Sequence, residues 1–286
     1  YEIEAVRNRG YRLRFLGDVL SQAELESSID SEWAGKNILY FDETDSTNTE
    51  IKKAAEKDAP HGTLAVADYQ SMGKGRRGRS WAAPHGVGIW MSLLLRPELP
   101  PTCASMLTLV AALAVADGIR EVCDLEAKIK WPNDILCHGK KLVGILTEMS
   151  ASMEKIDYII MGIGINTGAK KEEFPEMFRE SATSFANEGV EVSRKELLAA
   201  VLAELEAEYR IARTEGFDKV LEDWKDLSIT IGQDVRVIFN EDSFTGRAVG
   251  IDKDGCLLVD TGTEVTRVIA GDVSIRPADR PVDLGR

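Results

Sequence analysis

Four cations fall within six residues in the segment Gly73-Lys74-Gly75-Arg76-Arg77-Gly78-Arg79-Ser80-Trp81, interleaved with three glycines. Arginine forks and a lysine point charge at that density suit a carboxylate or a phosphate, and the glycines let the backbone close around it. The segment satisfies G-x-G-x-x-G. That dinucleotide fingerprint needs a helix straight after it, and Trp81-Ala-Ala-Pro84-His-Gly86-Val-Gly88 cannot start one. It also satisfies a P-loop pattern with Arg79 in the lysine position, and again the helix is missing. What remains is an anion-binding loop held between two strand-like runs, set against the plainer reading of a solvated or RNA-binding basic loop.

Three further clusters carry usable chemistry. In Lys130-Trp131-Pro132-Asn133-Asp134 the proline cannot donate a ladder bond, so the strand must break at Trp-Pro. Asn133 and Asp134 then present two oxygen-bearing side chains at a turn, suited to Mg²⁺ or a ribose. Lys141 opens the apolar run Leu142–Leu146, which either carries its ammonium into a cleft or leaves it solvated at a hairpin, as for Lys140. Met161-Gly162-Ile163-Gly164-Ile165-Asn166 ends an apolar strand with two alternating glycines, the mark of a closely approaching ligand or backbone, or of a bulge. Asp45-Ser46-Thr47-Asn48 offers several helix caps, and a helix N-terminus with spare hydroxyls is also an anion or amide site.

The elements that must position these groups follow from the pattern. Residues 1–14 end in the hairpin-like run Gly10-Tyr11-Arg12-Leu13, and residues 17–30 read as a polar linker or short helix. Strands are expected at Ile38–Phe41, Thr63–Ala67, Gly88–Leu95, Ala127–Trp131, Lys141–Met149 and Tyr158–Ile165. Helices are expected from Asp45–Asn48 to about Lys57, over Thr102–Val122, and from the capping box Ser193-x-x-Glu196 to Gly216. This mixed order predicts an α+β domain, with helices against one face of a largely antiparallel sheet. From Leu227 onward five short strands (Asp234–Phe239, Thr245–Asp252, Cys256–Asp260, Val265–Ile269, Val273–Arg276) predict a small all-β barrel of about 50 residues.

Composition bounds the function. The chain has 286 residues, with 35 Lys and Arg against 48 Asp and Glu and a formal charge of −13. That balance excludes a surface-wide nucleic-acid binder, so any such role must sit in a local basic patch. The longest nearly unbroken apolar stretch, Met106–Ala116, is far short of the roughly 20 residues that span a bilayer. No leader is visible, and the start at Tyr1 leads us to expect a segment upstream. Cys103, Cys123, Cys137 and Cys256, with His61, His85 and His138, are too scattered to read as a zinc cluster or disulfide framework, which fits a reducing cytoplasm.

Taken in order, Asp45–Asn48, Tyr69–Trp81, Lys130–Asp134, Lys141–Glu148 and Gly162–Asn166 together resemble the biotin protein ligases over roughly residues 38–276. Gly10–Leu13 further resembles the wing of the winged helix in the bifunctional ligase/repressor branch. The resemblance implies a class II synthetase-like mixed sheet with helices and a C-terminal SH3-like β-barrel. It divides the chain into a wing remnant and linker (1–30), a catalytic domain (31–226) and the barrel (227–286). It implies that biotin and ATP give biotinoyl-5′-AMP, and that biotin then passes to a lysine of biotin carboxyl carrier protein. Mg²⁺ is the implied metal, with Asp134 near it.

By the same resemblance Lys141 and Arg76 are the catalytic cations. Ser46, Thr47, Asn48, Gln70, Lys74, Gly75, Arg76, Lys141, Gly162 and Gly164 are expected around biotin, and Arg79, Trp81, Asn133 and Asn166 around the nucleotide. Lys74 stands where the family usually has Arg, and the two differ at a bidentate site. A cytoplasmic homodimer is implied, binding operator DNA only if a helix-turn-helix precedes Tyr1. The alternatives are a lipoate–protein ligase, which shares the adenylate logic, and a protein that is primarily a biotin-responsive repressor.

Overall fold

The structure, a computed structural model, describes residues 2–6, 10–14, 18–239, 242–270 and 273–277. The chain opens with an antiparallel hairpin, β1 (Glu2–Val6) and β2 (Gly10–Arg14), followed by helix α1 (Gln22–Ser28). Then come β3 (Asn37–Thr44), α2 (Thr47–Ala55), β4 (Thr63–Gln70), β5 (Gly88–Leu95) and α3 (Ala104–Val122). The strands β6 (Lys128–Lys130), β7 (Asp134–Cys137), β8 (Lys140–Ala151) and β9 (Ile156–Asn166) follow, and then the helices α4 (Arg194–Thr214) and α5 (Asp218–Leu227). The last five strands are β10 (Asp234–Phe239), β11 (Asp242–Ile251), β12 (Leu257–Asp260), β13 (Val265–Val268) and β14 (Val273–Pro277).

β3 to β9 form one seven-stranded sheet in the order β3-β4-β5-β9-β8-β7-β6. The β3–β4 pair is parallel and the other pairs are antiparallel. Alternation along the strands decides what each face does. Ile89, Met91, Leu93 and Leu95 of β5, with Ile159, Met161, Ile163 and Ile165 of β9, join one core with α3 and α4. Burying a side chain of this kind contributes about 1.5–3 kcal/mol, so this face anchors the sheet. The residues between them (Trp90, Ser92 and Leu94; Ile160, Gly162 and Gly164) point the other way.

That second face is only partly covered. Ile51 and Ala55, one turn apart on α2, pack on Ala65, Leu94 and Ile160. The sequence places helices on one face; α2 lies on the other because its short apolar stripe fits that smaller patch. Beside α2 the sheet stays open, and the open part is a cleft. α3, with the turn that precedes it, is the one helix among the described residues long and apolar enough to cross a bilayer. Twelve of its nineteen residues are buried, and it serves as the central core helix.

The 17–30 region holds the short helix that was one of its two expected readings, α1, and Leu20, Leu25 and Ile29 pack it into the main core. Two elements differ from expectation. α5 was not foreseen, because its apolar positions Val220, Leu221, Trp224 and Leu227 are few; all four are buried. The turn expected to hold Asn133 and Asp134 is shorter than supposed. The Trp131–Pro132 peptide is cis, and Asp134 already pairs with Gly144 as the first residue of β7.

The C-terminal strands form one antiparallel sheet in the order β13-β12-β11-β10-β14. It packs on the central domain through the turn before β12. Ser105 Oγ donates to Asp254 O at 3.2 Å, and Trp131 Nε1 donates to Gly255 O at 3.1 Å. Gly255 has φ +75, and a Cβ there would lie 2.7 Å from Met106 Sδ, so the close approach requires glycine.

Candidate active site

A cleft opens where the C-terminal ends of β4 and β9 meet the start of α2 and the middle of β8. Twelve of the fifteen residues singled out in the sequence line it: Ser46, Thr47, Asn48, Gln70, Lys74, Gly75, Arg76, Trp81, Asn133, Lys141, Gly162 and Gly164. Arg79, Asp134 and Asn166 do not.

One end is neutral and polar. Ser46 is the N-cap of α2, and Ser46, Thr47, Asn48 and Gln70 are all buried. Thr47 donates to Gln70 Oε1 twice, from its backbone N at 2.8 Å and from Oγ1 at 3.0 Å. Ser92 Oγ lies 2.7 Å from Thr47 Oγ1 and 2.6 Å from Asn48 Oδ1, within donating reach of either. Asn48 Nδ2 donates to Glu148 Oε2 at 2.6 Å. Buried amides and hydroxyls bonded this way hold fixed donor and acceptor directions, which a small polar ring system can match. Gly162 is glycine for a steric reason: a Cβ there would lie 2.2 Å from Asn48 Oδ1.

The other end is cationic. The 71–83 segment folds back on itself through the bridges Gln70↔Ala83 and Lys74↔Ser80, with a 3₁₀ turn at Arg76–Gly78 and Arg77 at φ 58. No α-helix follows, in keeping with the rejection of both phosphate-loop patterns. Arg76 donates from Nη1 to Asn133 Oδ1 at 2.9 Å and from Nη2 to Ala270 O, just past the end of β13. Asn133 is itself held by donating to Ile145 O at 2.6 Å. Lys141 Nζ lies 2.6 Å from Asp134 Oδ1 and 5.2 Å above the Trp81 ring. Burial pushes the Asp134 carboxyl up, but Lys141, with Lys130 and Arg76, outweighs it and holds the group below the usual carboxylate range.

Trp81 forms the floor between the two ends. Its ring lies on Gly144 and Gly164, which pair across β8 and β9. A Cβ would lie 2.6 Å from the ring at Gly144 and 2.7 Å from it at Gly164. The Trp81 Nε1 is buried without a hydrogen-bond partner.

The three residues outside the cleft have clear positions. Arg79 is exposed, and its carbonyl accepts from Gly75 N at 2.7 Å. Asn166 is buried at the end of β9 and donates to Thr183 O at 3.1 Å. Asp134 is the partner of Lys141. As a magnesium site its surroundings fit poorly, because its carboxylate faces Lys141 and the neighbouring Asn133 oxygen accepts from Arg76. Among the described residues, the group of three Cys, His, Asp or Glu side chains close enough to share an ion is Cys137, His138 and Glu188, and Asp134 is not in it.

The sequence reading missed Ser92, Glu148 and Gly144, and the apolar lining of Met91, Ile145, Leu146 and Ile163. Ser92 had a signal, as the single hydroxyl in an otherwise apolar strand. Gly144 had one as well, since its spacing from Lys141 puts both on the same stretch of β8.

Comparison with known proteins gives a consistent picture. The sequence pattern of the biotin/lipoate A/B protein ligase family matches residues 40–166, and that of the biotin protein ligase C-terminal domain matches residues 230–276. The bifunctional ligase/repressor BirA of Bacillus subtilis is 39% identical over 276 residues, covering 96% of this chain and 85% of that protein. The biotin–acetyl-CoA-carboxylase ligase of Mycobacterium tuberculosis is 34% identical, covering 85% of this chain and 90% of its own. Among solved structures, the biotin protein ligase from Aquifex aeolicus in complex with biotin and ATP has a TM-score of 0.74 at 30% identity, covering 85% of this chain and all of that one.

Proposed function

Because the chain belongs to the biotin protein ligase family, we propose that it is an ATP-dependent ligase that joins biotin to ATP as biotinoyl-5′-AMP and passes biotin to a lysine of a biotin carboxyl carrier protein. The observation that carries this reading is the division of one cleft into a neutral polar end and a cationic end, with Trp81 between them. A ureido ring has one acceptor and two donors and suits the Ser46, Thr47, Asn48 and Gln70 end. Gly162 leaves room for Asn48 there.

The first step brings a carboxylate against a polyphosphate, and the two anions repel. A carboxylate oxygen attacks the α-phosphorus, the bond to the bridging oxygen breaks, and pyrophosphate leaves with the electron pair. The chain needs no nucleophile for this, only positive charge and alignment. Lys141 and Arg76 supply the charge, and Asp134, Asn133 and Ala270 hold those two cations in place. Lys74 and the Gly75 backbone border the same end, with Arg79 behind them. Asn166 acts one layer back, through the Thr183 carbonyl. With Asp134 and Asn133 committed to Lys141 and Arg76, no step runs through a metal held by the chain.

In the second step the acceptor amine attacks the acyl carbon, the mixed anhydride breaks, and AMP leaves as the amine loses its proton. The anhydride is labile to water, so a basic loop folded over it protects the intermediate. Four unpaired cysteines and the use of ATP support a cytoplasmic setting. Two functions in one protein, as in the relatives named ligase/repressors, would add a homodimer on operator DNA. A gel shift with the gene's own control region tests that role, which needs a helix-turn-helix before Tyr1.

Mass spectrometry of a carboxyl carrier domain incubated with the chain, biotin and ATP tests the ligase. One lysine should gain a biotinoyl group, only when ATP is present. Equal or better transfer of lipoate would overturn the biotin assignment in favour of a lipoate ligase.

A further inference from the structure

The turn between β7 and β8 carries a second cluster, away from the cleft. β7 ends at Cys137, and a left-handed pair, His138 at φ 45 and Gly139 at φ 77, turns the chain into β8. This bends the imidazole back over the strand end. His138 Nδ1 lies 3.4 Å from Cys137 Sγ and 2.7 Å from Glu188 Oε2. One ligand atom from each of the three lies within 4.8 Å of the others. Glu188 reaches the turn from the 3₁₀ segment Ala186–Glu188, and its second oxygen accepts from Thr183 Oγ1 at 2.5 Å. Such an outer contact orients metal-bound carboxylates.

Soft sulfur, imidazole nitrogen and carboxylate oxygen are the donors that zinc takes. Bond lengths of about 2.0–2.3 Å in a tetrahedral site place the donor atoms roughly 3.3–3.7 Å apart. The two separations from His138 Nδ1, 2.7 Å to Glu188 Oε2 and 3.4 Å to Cys137 Sγ, differ from that by less than about 1 Å, and the remaining pair, within 4.8 Å, closes by about 1 Å through side-chain adjustment. Cys137 is fully buried, while the His138 side chain is 67% exposed, so an ion would enter past the imidazole. Without an ion the thiol is no ready nucleophile, because burial and then Glu188 push it up to about 11.

We infer that Cys137, His138 and Glu188 form a site for one divalent ion of the zinc type, with water as the fourth ligand. The ion would clamp the 181–188 segment to the β7–β8 turn. That segment already holds the backbone of Lys141, whose N donates to Ser181 O at 2.7 Å and whose O accepts from Thr183 N at 2.9 Å. The ion therefore braces the strand that aims the cationic end of the cleft. The site itself stands whether or not the cleft ligates biotin.

Titration of the metal-free full chain with Co²⁺, followed by displacement with Zn²⁺, tests the site. One equivalent should bind, with tetrahedral visible bands and a thiolate-to-cobalt charge-transfer band, both abolished by Zn²⁺. His138→Asn keeps the left-handed turn, since Asn tolerates positive φ, and should weaken binding by about tenfold or more. Cys137→Ser should lose the charge-transfer band, and Cys256→Ser should keep it. His138 is exposed, so its variant reports on the site even if the buried Cys137→Ser fails to fold. Absence of one-equivalent binding, a charge-transfer band retained in folded Cys137→Ser, or undiminished affinity in His138→Asn would each overturn the proposal.

Discussion

A lysine that must offset two anions is useful only if its ammonium is held where they meet. Lys141 is aimed by Asp134 at 2.6 Å and by the Trp81 face, and Arg76 is forked between Asn133 and the Ala270 carbonyl. Arg76→Ala removes two charge-assisted donations, which are worth about 1.5–3 kcal/mol each at most sites. We expect biotinoyl-5′-AMP to leak roughly 10- to 100-fold faster from that variant, read in a biotin-pulse assay, while unchanged leakage would contradict the loop's role. Gly162→Ala tests the opposite end. Its Cβ would lie 2.2 Å from Asn48 Oδ1, so biotin affinity should fall tenfold or so with nucleotide affinity kept, in paired calorimetric titrations. Loss of both affinities together would point to a collapsed cleft instead.

At the scale of elements, the helical layer carries an electrostatic weakness. Glu208 of α4 is buried, and one of its oxygens has no hydrogen-bond partner. Burial first, then Asp117, Asp223 and Glu204, push its carboxyl up to about 7. A carboxyl raised in the folded state favours folding only while protonated. Its cost therefore grows from about pH 4.5, its ordinary value, to about pH 7, and is complete above that. Glu208→Gln should stabilise the protein by about 1–3 kcal/mol at pH 8 and by almost nothing at pH 4.5 in urea melts. An equal gain at both pH values would show that packing, and not charge, is responsible. The same layer shows what was legible in advance. The apolar runs of β5, β8 and β9 and the long apolar α3 announce themselves, because a buried element needs a continuous supply of apolar side chains. β7 did not, since its four residues follow a proline that reads as a break, and α2's place on the second face depends on only a few apolar contacts. Residues marked by charge or missing bulk (Arg76, Lys141, Gly162) could be read as cleft-lining from the sequence. Ser92 left only the faint mark of a lone hydroxyl in an apolar strand and Glu148 none, because they act by holding Thr47 and Asn48, and sequence spacing does not record contacts between distant strands.

For the whole molecule, the C-terminal sheet is part of the cleft's architecture, since Ala270 O holds Arg76 from across the chain. The turn at Gly255 seats that sheet on Met106, Leu109 and Trp131. Gly255→Val would clash there and strain a positive φ, so we expect a loss of about 1–3 kcal/mol in stability together with faster leakage of the intermediate. Lost stability with leakage unchanged would separate the sheet from the loop's function. The acidic whole also sharpens the cationic end: a chain of −13 concentrates four of its positive charges in residues 74–79. On the proposed function, that island faces two small anions meeting in one cleft. Biotin-dependent exchange of pyrophosphate into ATP measures that meeting directly. The chain should catalyse it, and Lys141→Ala should lower the rate about 100- to 1,000-fold in a variant that still folds. Exchange at the unaltered rate in a folded Lys141→Ala variant would contradict the account.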